Sequence, residues 1–180
     1  MCRTNRGVTV WFTGLSGAGK TTVAKEVEKR LEEKKIRIQR LDGDIVRESL
    51  TKDLGFSKED RNENIKRNTF VAKLLTKHDV ITLCSFISPY RLAREYARRE
   101  IEEVGEFVEI FVNSPIEVCE ERDVKGLYQQ ARDGNIDNFT GISDPYQAPR
   151  NPDLELRTDQ ETLKESAQKV IDYLTKQNYI

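Results

Sequence analysis

Short apolar runs alternate along this chain with longer segments in which apolar residues recur every three or four positions. Residues 8–13, 80–86 and 107–112 are nearly continuous apolar runs, a pattern typical of strands buried on both faces of a parallel sheet. Residues 35–41 and 154–156 are predicted as two further strands. Because helical patterns separate the strands, we expect an α/β fold with a five-stranded, mainly parallel sheet and helices on both faces.

The segments between the strands have the periodicity of amphipathic helices. Ser57 is predicted as the N-cap of a long helix to Lys77, in which Phe70 and Leu74 are expected on the buried side. Thr158-x-x-Glu161 resembles a capping box that opens the last helix. The remaining helices are predicted over residues 21–33, from 90 to about 104, and after Ser114-Pro115.

The segment from about residue 123 to 152 contains glycines and prolines but few apolar clusters. Such a segment between well-patterned elements is a candidate mobile lid over an active site. The alternative is a solvated, charged loop. We expect residues 1–180 to form a single domain that carries this lid.

Residues 14–21, between the first strand and the first helix, read Gly-Leu-Ser-Gly-Ala-Gly-Lys-Thr. They match G-x-x-x-x-G-K-[ST], the P-loop pattern, in which backbone N–H groups and a helix N-terminus surround phosphates. Lys20 is expected to reach the β- and γ-phosphates, and the Thr21 hydroxyl to ligate Mg²⁺. The pattern predicts an ATP or related triphosphate site at Gly14, Leu15, Ser16, Gly17, Ala18, Gly19, Lys20, Thr21 and Thr22.

Asp42-Gly43-Asp44 follows the second strand, at the sheet edge where parallel sheets bind ligands. Asp44 is a candidate either to hold Mg²⁺ through water or to accept a proton from an attacking hydroxyl. Arg47 shares a helical face with Asp44 and suits an anionic acceptor. The alternative for Asp42 is a simple N-cap.

Further side chains are candidates for binding the second substrate or the phosphates. Phe56 lies in a predicted turn and would suit stacking on a base, although an isolated Phe is more often a core residue. Arg61 and Asn64 share a helical face. Ser88 either hydrogen-bonds the acceptor or caps the helix that Pro89 begins. A closing lid could bring the cations Arg122 and Lys125 to the phosphates. Phe139 is the aromatic residue of the same segment.

Composition narrows the function further. The 30 Lys and Arg residues balance 31 Asp and Glu residues, so a strongly basic nucleic-acid-binding face is not expected. No apolar run has the length of a membrane span, and the N-terminus lacks an apolar signal segment. The three cysteines, Cys2, Cys84 and Cys119, are unclustered and are predicted to be reduced thiols in a cytoplasmic protein. His78, the single histidine, is predicted at a helix C-terminus.

Taken together, the motifs resemble those of adenylylsulfate kinases (APS kinases). The resemblance covers nearly the whole chain, from Val8 through the last helix. The P-loop is shared by many families, whereas the other motifs in this order are specific. They are GLSGAGKT at 14–21, DGDIVR at 42–47, LGFS at 54–57, DRNEN at 60–64, FISPYR at 86–91, RDVKGLY at 122–128 and NFTGI at 138–142.

This resemblance implies a P-loop NTPase three-layer sandwich that uses Mg-ATP to phosphorylate the 3′-hydroxyl of adenosine 5′-phosphosulfate. It implies that Asp44 is the carboxylate of the magnesium site and the proposed base, and that Ser88 is a site residue whose chemical role stays open. Family members are commonly dimers. Two departures from many members are Ile45, and Gln129 with Gln130 in the lid. The implied acceptor ligands are Asp42, Arg47, Phe56, Arg61, Asn64, Ile87, Ser88, Lys125, Asn138 and Phe139, while Arg122 is assigned to ATP.

Two other functions would account for parts of this sequence. A related kinase of another small hydroxyl compound, of the gluconate or nucleoside type, would share the P-loop and differ in the acceptor residues. A GTP-dependent switch would use Asp123-x-x-Gly126 as its D-x-x-G motif. That motif follows a predicted helix rather than a strand, and the chain has no Asn-Lys-x-Asp guanine-binding motif.

Overall fold

The computed structural model describes residues 7–180. The expectations about Cys2 and about the first six residues lie outside the described part. Five parallel strands form one sheet in the order β2-β3-β1-β4-β5, which confirms the predicted sheet. The strands are β1 (Val8–Thr13), β2 (Ile38–Asp42), β3 (Ile81–Ser85), β4 (Glu106–Val112) and β5 (Leu154–Leu156).

Seven helices connect and cover these strands within residues 7–180. Most agree with the prediction to within a few residues at each end, and His78 is the C-cap of α3 as expected. The helices are α1 (Lys20–Glu33), α2 (Gly43–Glu48), α3 (Lys58–Lys77), α4 (Arg91–Glu102), α5 (Ile116–Arg122), α6 (Leu127–Arg132) and α7 (Leu163–Lys176).

The sheet divides the core into two apolar layers. Alternate residues of a strand point to opposite faces, and β1 shows this directly: Val10 and Phe12 join one cluster, whereas Trp11 joins the other. Helices α1 and α7 pack together on the first face, and α3 and α4 pack together on the second. The result is the three-layer sandwich that the resemblance implied.

The buried face of α3 differs from the prediction. Phe70 and Leu74 are 64% and 45% exposed, while Ala72 and Thr76 are fully buried. Ala72 and Thr76 are one turn apart on the helix face that packs inward. Phe70 and Leu74 each precede one of them by two positions, about 200° around the helix, so they point away from that face.

The predicted start of the last helix is also wrong. The capping box is formed by Thr162 and Glu165, four residues later than expected. Thr158 is used elsewhere, since its hydroxyl donates to the Ala18 carbonyl oxygen at 2.7 Å. Glu161 instead accepts hydrogen bonds from the Arg157 N–H and from Lys169.

The segment 123–152 has more secondary structure and more buried side chains than its sequence indicated. It contains α6, and Tyr128 and Phe139 are buried in the first core layer. These aromatic residues anchor the segment, so the alternative of a fully solvated loop is wrong. Cys84 and Cys119 are free and buried. Within residues 7–180, no helix is both long and apolar enough to cross a membrane.

Candidate active site

The predicted site residues lie at the carboxyl edge of the sheet, where β1, β2 and β3 end. The P-loop follows β1, Asp42 ends β2, and Ile87 and Ser88 follow β3. Parallel strands all present their carboxyl ends at the same edge, which is where open α/β sheets bind ligands. The order β2-β3-β1 therefore brings three motifs together that are far apart in sequence.

The P-loop has the backbone that its glycines were expected to permit. Gly17 and Gly19 have φ of 74° and 97°, in the left-handed region that glycine favours. Gly14 faces β4 so closely that a Cβ would lie 2.4 Å from the Val112 carbonyl oxygen. Gly19 is the N-cap of α1 with no side-chain cap, which leaves the N-terminal amides of the helix available to an anion.

Lys20 is folded back onto the loop that it follows. Its Nζ donates to the carbonyl oxygens of Gly14 at 3.0 Å and Leu15 at 2.6 Å. Burial lowers the pKa of Lys20 to about 8, against the opposing influence of nearby acidic groups such as Asp44. A phosphate at the loop would favour the charged form, because an opposite charge raises the pKa of an amine.

Asp42 connects the P-loop to the end of β2. Its Oδ2 accepts hydrogen bonds from Thr21 Oγ1 at 2.9 Å and Arg40 Nη1 at 3.1 Å. Its Oδ1 accepts from the Asp44 N–H at 3.1 Å and caps α2. The N-cap alternative for Asp42 is thus correct, yet the same carboxylate also orients the hydroxyl of Thr21.

The side-chain oxygens of Thr21 and Asp44 suit a magnesium ion that is bound together with a nucleotide. Within residues 7–180 no cluster of three or more His, Cys, Asp or Glu residues could hold a metal by itself. Mg²⁺ usually keeps several waters and binds through one or two carboxylates plus substrate phosphates. The Thr21 hydroxyl and the carboxylate of Asp44 fit that requirement, and Asp44 is ion-paired with Lys125.

Among the residues predicted to bind the acceptor, two arginines lie close to the ring of Phe56. The guanidinium carbons of Arg47 and Arg61 lie 4.4 Å and 5.6 Å from the ring centroid. Phe56 is 53% exposed, so the core alternative for it is wrong. Arg61 also bridges two loops, since its Nε donates to the Phe56 carbonyl oxygen at 3.0 Å and its Nη2 to that of Asn138 at 2.5 Å.

Phe139 follows Asn138 and is buried, unlike Phe56. It meets Tyr128 edge-on, with ring centroids 4.9 Å apart and planes at 77°. A shallow cavity of about 490 Å³ begins two residues further along the chain. It is lined by Leu15, Gly141, Ile142, Ser143, Asp144, Pro145 and Tyr146.

Ser88 does not cap α4, because Tyr90 is the N-cap and the helix begins at Arg91. Ser88 has a φ of 41° and is 2% exposed. Its hydroxyl accepts from Trp11 Nε1 at 3.1 Å and donates to Thr13 Oγ1 at 3.0 Å. Thr13 donates in turn to the carbonyl oxygen of Ile87 at 2.7 Å, so Ser88 belongs to a buried hydrogen-bond chain.

Three other predicted site residues are Arg122, Asn64 and Thr22. Arg122 donates to the carbonyl oxygens of Gly17 at 3.3 Å and Thr158 at 2.6 Å, beside the P-loop. Asn64 accepts from Asn68 Nδ2 through its main-chain oxygen at 2.8 Å, one turn along α3. Thr22 is exposed at the start of α1.

The sequence reasoning missed several residues that hold the site together. Tyr128 donates to the Ser16 carbonyl oxygen at 2.9 Å, and Tyr90 donates to the carboxylate of Asp144 at 2.9 Å. Arg94 is buried and donates to the carbonyl oxygen of Ser88 at 2.5 Å. The contacts of Tyr128 and Tyr90 join distant segments, so no local spacing could have signalled them.

Comparison with known proteins agrees with this geometry. A sequence model described as Adenylylsulphate kinase matches residues 6–157. An adenylyl-sulfate kinase of Halothermothrix orenii is 71% identical, over 99% of this chain and 95% of its own length. One from a Picosynechococcus species is 61% identical, over 98% of both chains.

Solved structures give the same result. The Mycobacterium tuberculosis APS kinase CysC in complex with AMPPNP and APS is 49% identical, with a TM-score of 0.92 over 94% of this chain and 98% of that chain. A hexameric APS kinase from Thiobacillus denitrificans is 37% identical, with a TM-score of 0.77 over 99% of this chain and 30% of that one. On the extent of these matches, the chain belongs to the adenylylsulfate kinase family of P-loop kinases.

Proposed function

We propose that this chain transfers the γ-phosphoryl group of ATP to the 3′-hydroxyl of adenosine 5′-phosphosulfate. The products are ADP and 3′-phosphoadenosine 5′-phosphosulfate, the activated form of sulfate. The observation that carries the proposal is the link between the P-loop and Phe56. Asp42 binds Thr21 of the P-loop and caps α2, and α2 carries Arg47, which lies against the half-exposed Phe56 ring. The similar CysC protein, whose structure is described with AMPPNP and APS, supports the same pair of substrates.

The residues of the P-loop would hold the ATP phosphates. Its amides and the N-terminus of α1 supply partial positive charge. Lys20 would break its hydrogen bonds to the carbonyl oxygens of Gly14 and Leu15 and would bind the β- and γ-phosphates instead. A bound Mg²⁺ would neutralise charge on these phosphates. Thr21 and Asp44 are the residues proposed to hold it, and Arg122 lies beside the loop on the ATP side.

The acceptor would bind between the ends of β2 and β3 and the segment 123–152. Asp44 is proposed to orient the 3′-hydroxyl and to take its proton, and Phe56 and Phe139 to stack on the adenine. Arg47 and Arg61 present planar guanidinium groups, which suit the paired oxygens of a phosphosulfate. The remaining acceptor ligands would be Asp42, Asn64, Ile87, Ser88, Lys125 and Asn138.

We further propose that residues 1–180 act as a single domain in the cytoplasm. Residues 123–152 are proposed to act as a lid whose exposed parts close over bound substrates, while the buried Tyr128 and Phe139 keep the segment attached to the core. Closure would exclude water and limit the hydrolysis of ATP.

A homodimer is proposed as well. Supporting it, Phe70, Leu74 and Leu50 leave an exposed apolar surface near the charged side chains of Glu63 and Arg67. Sedimentation of wild type against Phe70→Glu tests it, and a monomeric wild type would refute it.

The reaction is tested with purified protein, Mg-ATP and a panel of acceptors, with ADP release coupled to a spectrophotometric readout. Adenosine 5′-phosphosulfate should accelerate ADP release far above the acceptor-free rate, whereas gluconate and nucleosides should not. Mass spectrometry should find the added phosphate on the 3′-oxygen. An equal rate with and without adenosine 5′-phosphosulfate would refute the proposal.

A further inference from the structure

Tyr128, on α6, touches both halves of the site without belonging to either set of predicted ligands. It is 2% exposed, and its hydroxyl donates to the carbonyl oxygen of Ser16 at 2.9 Å. Its ring meets Phe139 edge-on, with 4.9 Å between centroids. One side chain therefore contacts the P-loop through an oxygen and the acceptor-side aromatic residue through carbon.

The hydroxyl contact fixes part of the phosphate cradle. The Ser16 carbonyl and the Gly17 N–H belong to the same planar, trans peptide, so the two groups point in opposite directions. When Tyr128 draws the carbonyl oxygen of Ser16 toward itself, the N–H of Gly17 is held pointing away from it. An amide that is oriented before the anion arrives binds it without first losing its own freedom.

The ring contact fixes the plane of Phe139. An edge-to-face pair of aromatic rings is stabilised by complementary charge at the edge of one ring and the face of the other, so each ring resists rotation of its partner. Phe139 is 9% exposed and follows Asn138, whose carbonyl oxygen Arg61 binds. Tyr128 and Arg61 thus hold the two ends of the Asn138-Phe139 unit.

Tyr128 is itself held firmly at the start of α6. Its N–H donates to Asp123 Oδ1 at 3.1 Å, and the Gln129 N–H donates to the other oxygen of the same carboxylate at 3.1 Å. Gly126, the N-cap of α6, has a φ of 63°, which allows the tight turn before Tyr128. These backbone contacts hold Tyr128 in place at the start of α6.

We propose that Tyr128 is a positioning residue that serves the two substrates with different atoms. Its hydroxyl holds the P-loop in the form that binds ATP, and its ring holds Phe139 in the plane that stacks on the acceptor base. This inference rests on the proposed function, because it assigns the acceptor base to Phe139. Removing the hydroxyl and removing the ring must then have different consequences.

The test compares Tyr128→Phe and Tyr128→Leu with wild type by calorimetric titration of Mg-AMPPNP and, separately, of adenosine 5′-phosphosulfate. Tyr128→Phe keeps the ring and should weaken AMPPNP binding about three- to tenfold, as expected for one lost hydrogen bond. It should leave the acceptor affinity within about twofold of wild type. Tyr128→Leu should weaken both ligands, the acceptor by about five- to tenfold. Tyr173→Phe on α7 is the matched control and should change neither.

A support that only stabilised the fold would affect both ligands alike in both variants. Equal weakening of AMPPNP and acceptor in Tyr128→Phe would therefore overturn the inference, as would an unchanged acceptor affinity in Tyr128→Leu. If Tyr128→Leu does not fold, the selective effect of Tyr128→Phe still decides. A wild type that binds AMPPNP but neither binds nor phosphorylates adenosine 5′-phosphosulfate would instead refute the proposed function.

Discussion

Lys125 forms an ion pair with Asp44, donating from its Nζ to Asp44 Oδ2 across the entrance to the site. Their side chains are 53% and 67% exposed, and exposed pairs of this kind contribute only about 0.2–1 kcal/mol. Another charged group can therefore replace either partner of this ion pair at a small cost in free energy. Because Asp44 is also the proposed magnesium carboxylate, a bound metal and Lys125 would compete for the same oxygen atoms.

This competition predicts opposite effects of one substitution. Lys125→Met should tighten the binding of Mn²⁺, used as a paramagnetic probe with ADP, by roughly two- to fivefold at most. The KM for adenosine 5′-phosphosulfate should rise, because the lost cation is also a proposed ligand of that anion. Electron paramagnetic resonance measures free Mn²⁺, and initial rates give the KM.

The matched control is Lys34→Met, since Lys34 is the C-cap at the far end of α1 from Lys20, about 21 Å away along the helix. It should leave both quantities unchanged. Weaker Mn²⁺ binding in Lys125→Met would contradict the competition, because removing a rival cation cannot by itself weaken the metal.

The sheet and the P-loop were predictable because their signals are local. A strand such as β1 is marked by six consecutive residues, all of them buried, and the loop after it by eight contiguous residues. The first residues of the helices were harder to predict. Thr158 and Thr162 both precede an acidic residue at the right spacing, and only the contact of Thr158 with Ala18 decides which one caps α7.

The supports of the site were not predictable, because they join distant segments. The hydrogen bond from Tyr128 to Ser16 spans 112 positions, and that from Arg61 to Asn138 spans 77. The exposed position of Phe70 follows from the rotational phase of α3, whose inward face includes polar residues such as Asn68 and Thr69, so apolar spacing alone misplaced it. Local patterns therefore predict candidate ligands, but they do not predict the residues that orient those candidates.

The two phenylalanines should respond differently to truncation, because one is exposed and the other buried. Phe56→Ala should weaken adenosine 5′-phosphosulfate binding by about 1–3 kcal/mol, the usual contribution of base–aromatic stacking. Its melting temperature should stay close to wild type, since the ring is 53% exposed. Phe139→Leu should weaken the acceptor and also lower the melting temperature. Calorimetric titration and thermal melts measure the two effects, and unchanged affinity in both variants would refute the stacking assignment.

Lys20 should make ATP binding depend on proton uptake. Burial lowers the pKa of Lys20 to about 8 in the ligand-free protein, so above about pH 8 the amine is mostly neutral. Phosphates favour the charged form and raise this pKa, so binding must take a proton from solvent. We expect most of one proton to be taken up per Mg-ATP at about pH 8.5, and clearly less at about pH 7, where the amine is already charged.

Calorimetry in two buffers with different ionisation enthalpies measures this proton uptake at each pH. The affinity for ATP should fall as the pH rises through 8. Above that pH, Lys20 must first be protonated, and this cost makes the free energy of ATP binding less favourable. An uptake that is equal at the two pH values would show that Lys20 does not change its protonation when ATP binds.

Ser88 should prove to be a structural and orienting residue rather than a covalent intermediate. Its hydroxyl is already engaged by Trp11 and Thr13, and direct in-line transfer needs only positioning and charge neutralisation. Ser88→Ala should destabilise the protein by about 1–3 kcal/mol, because the indole N–H of Trp11 loses its buried acceptor. The kcat should stay within roughly tenfold of wild type, whereas losing a true nucleophile costs on the order of 10⁴-fold or more. Rapid acid quench with labelled ATP should find no phosphoenzyme in wild type, and a phosphoserine that forms and decays at the rate of turnover would establish the opposite mechanism.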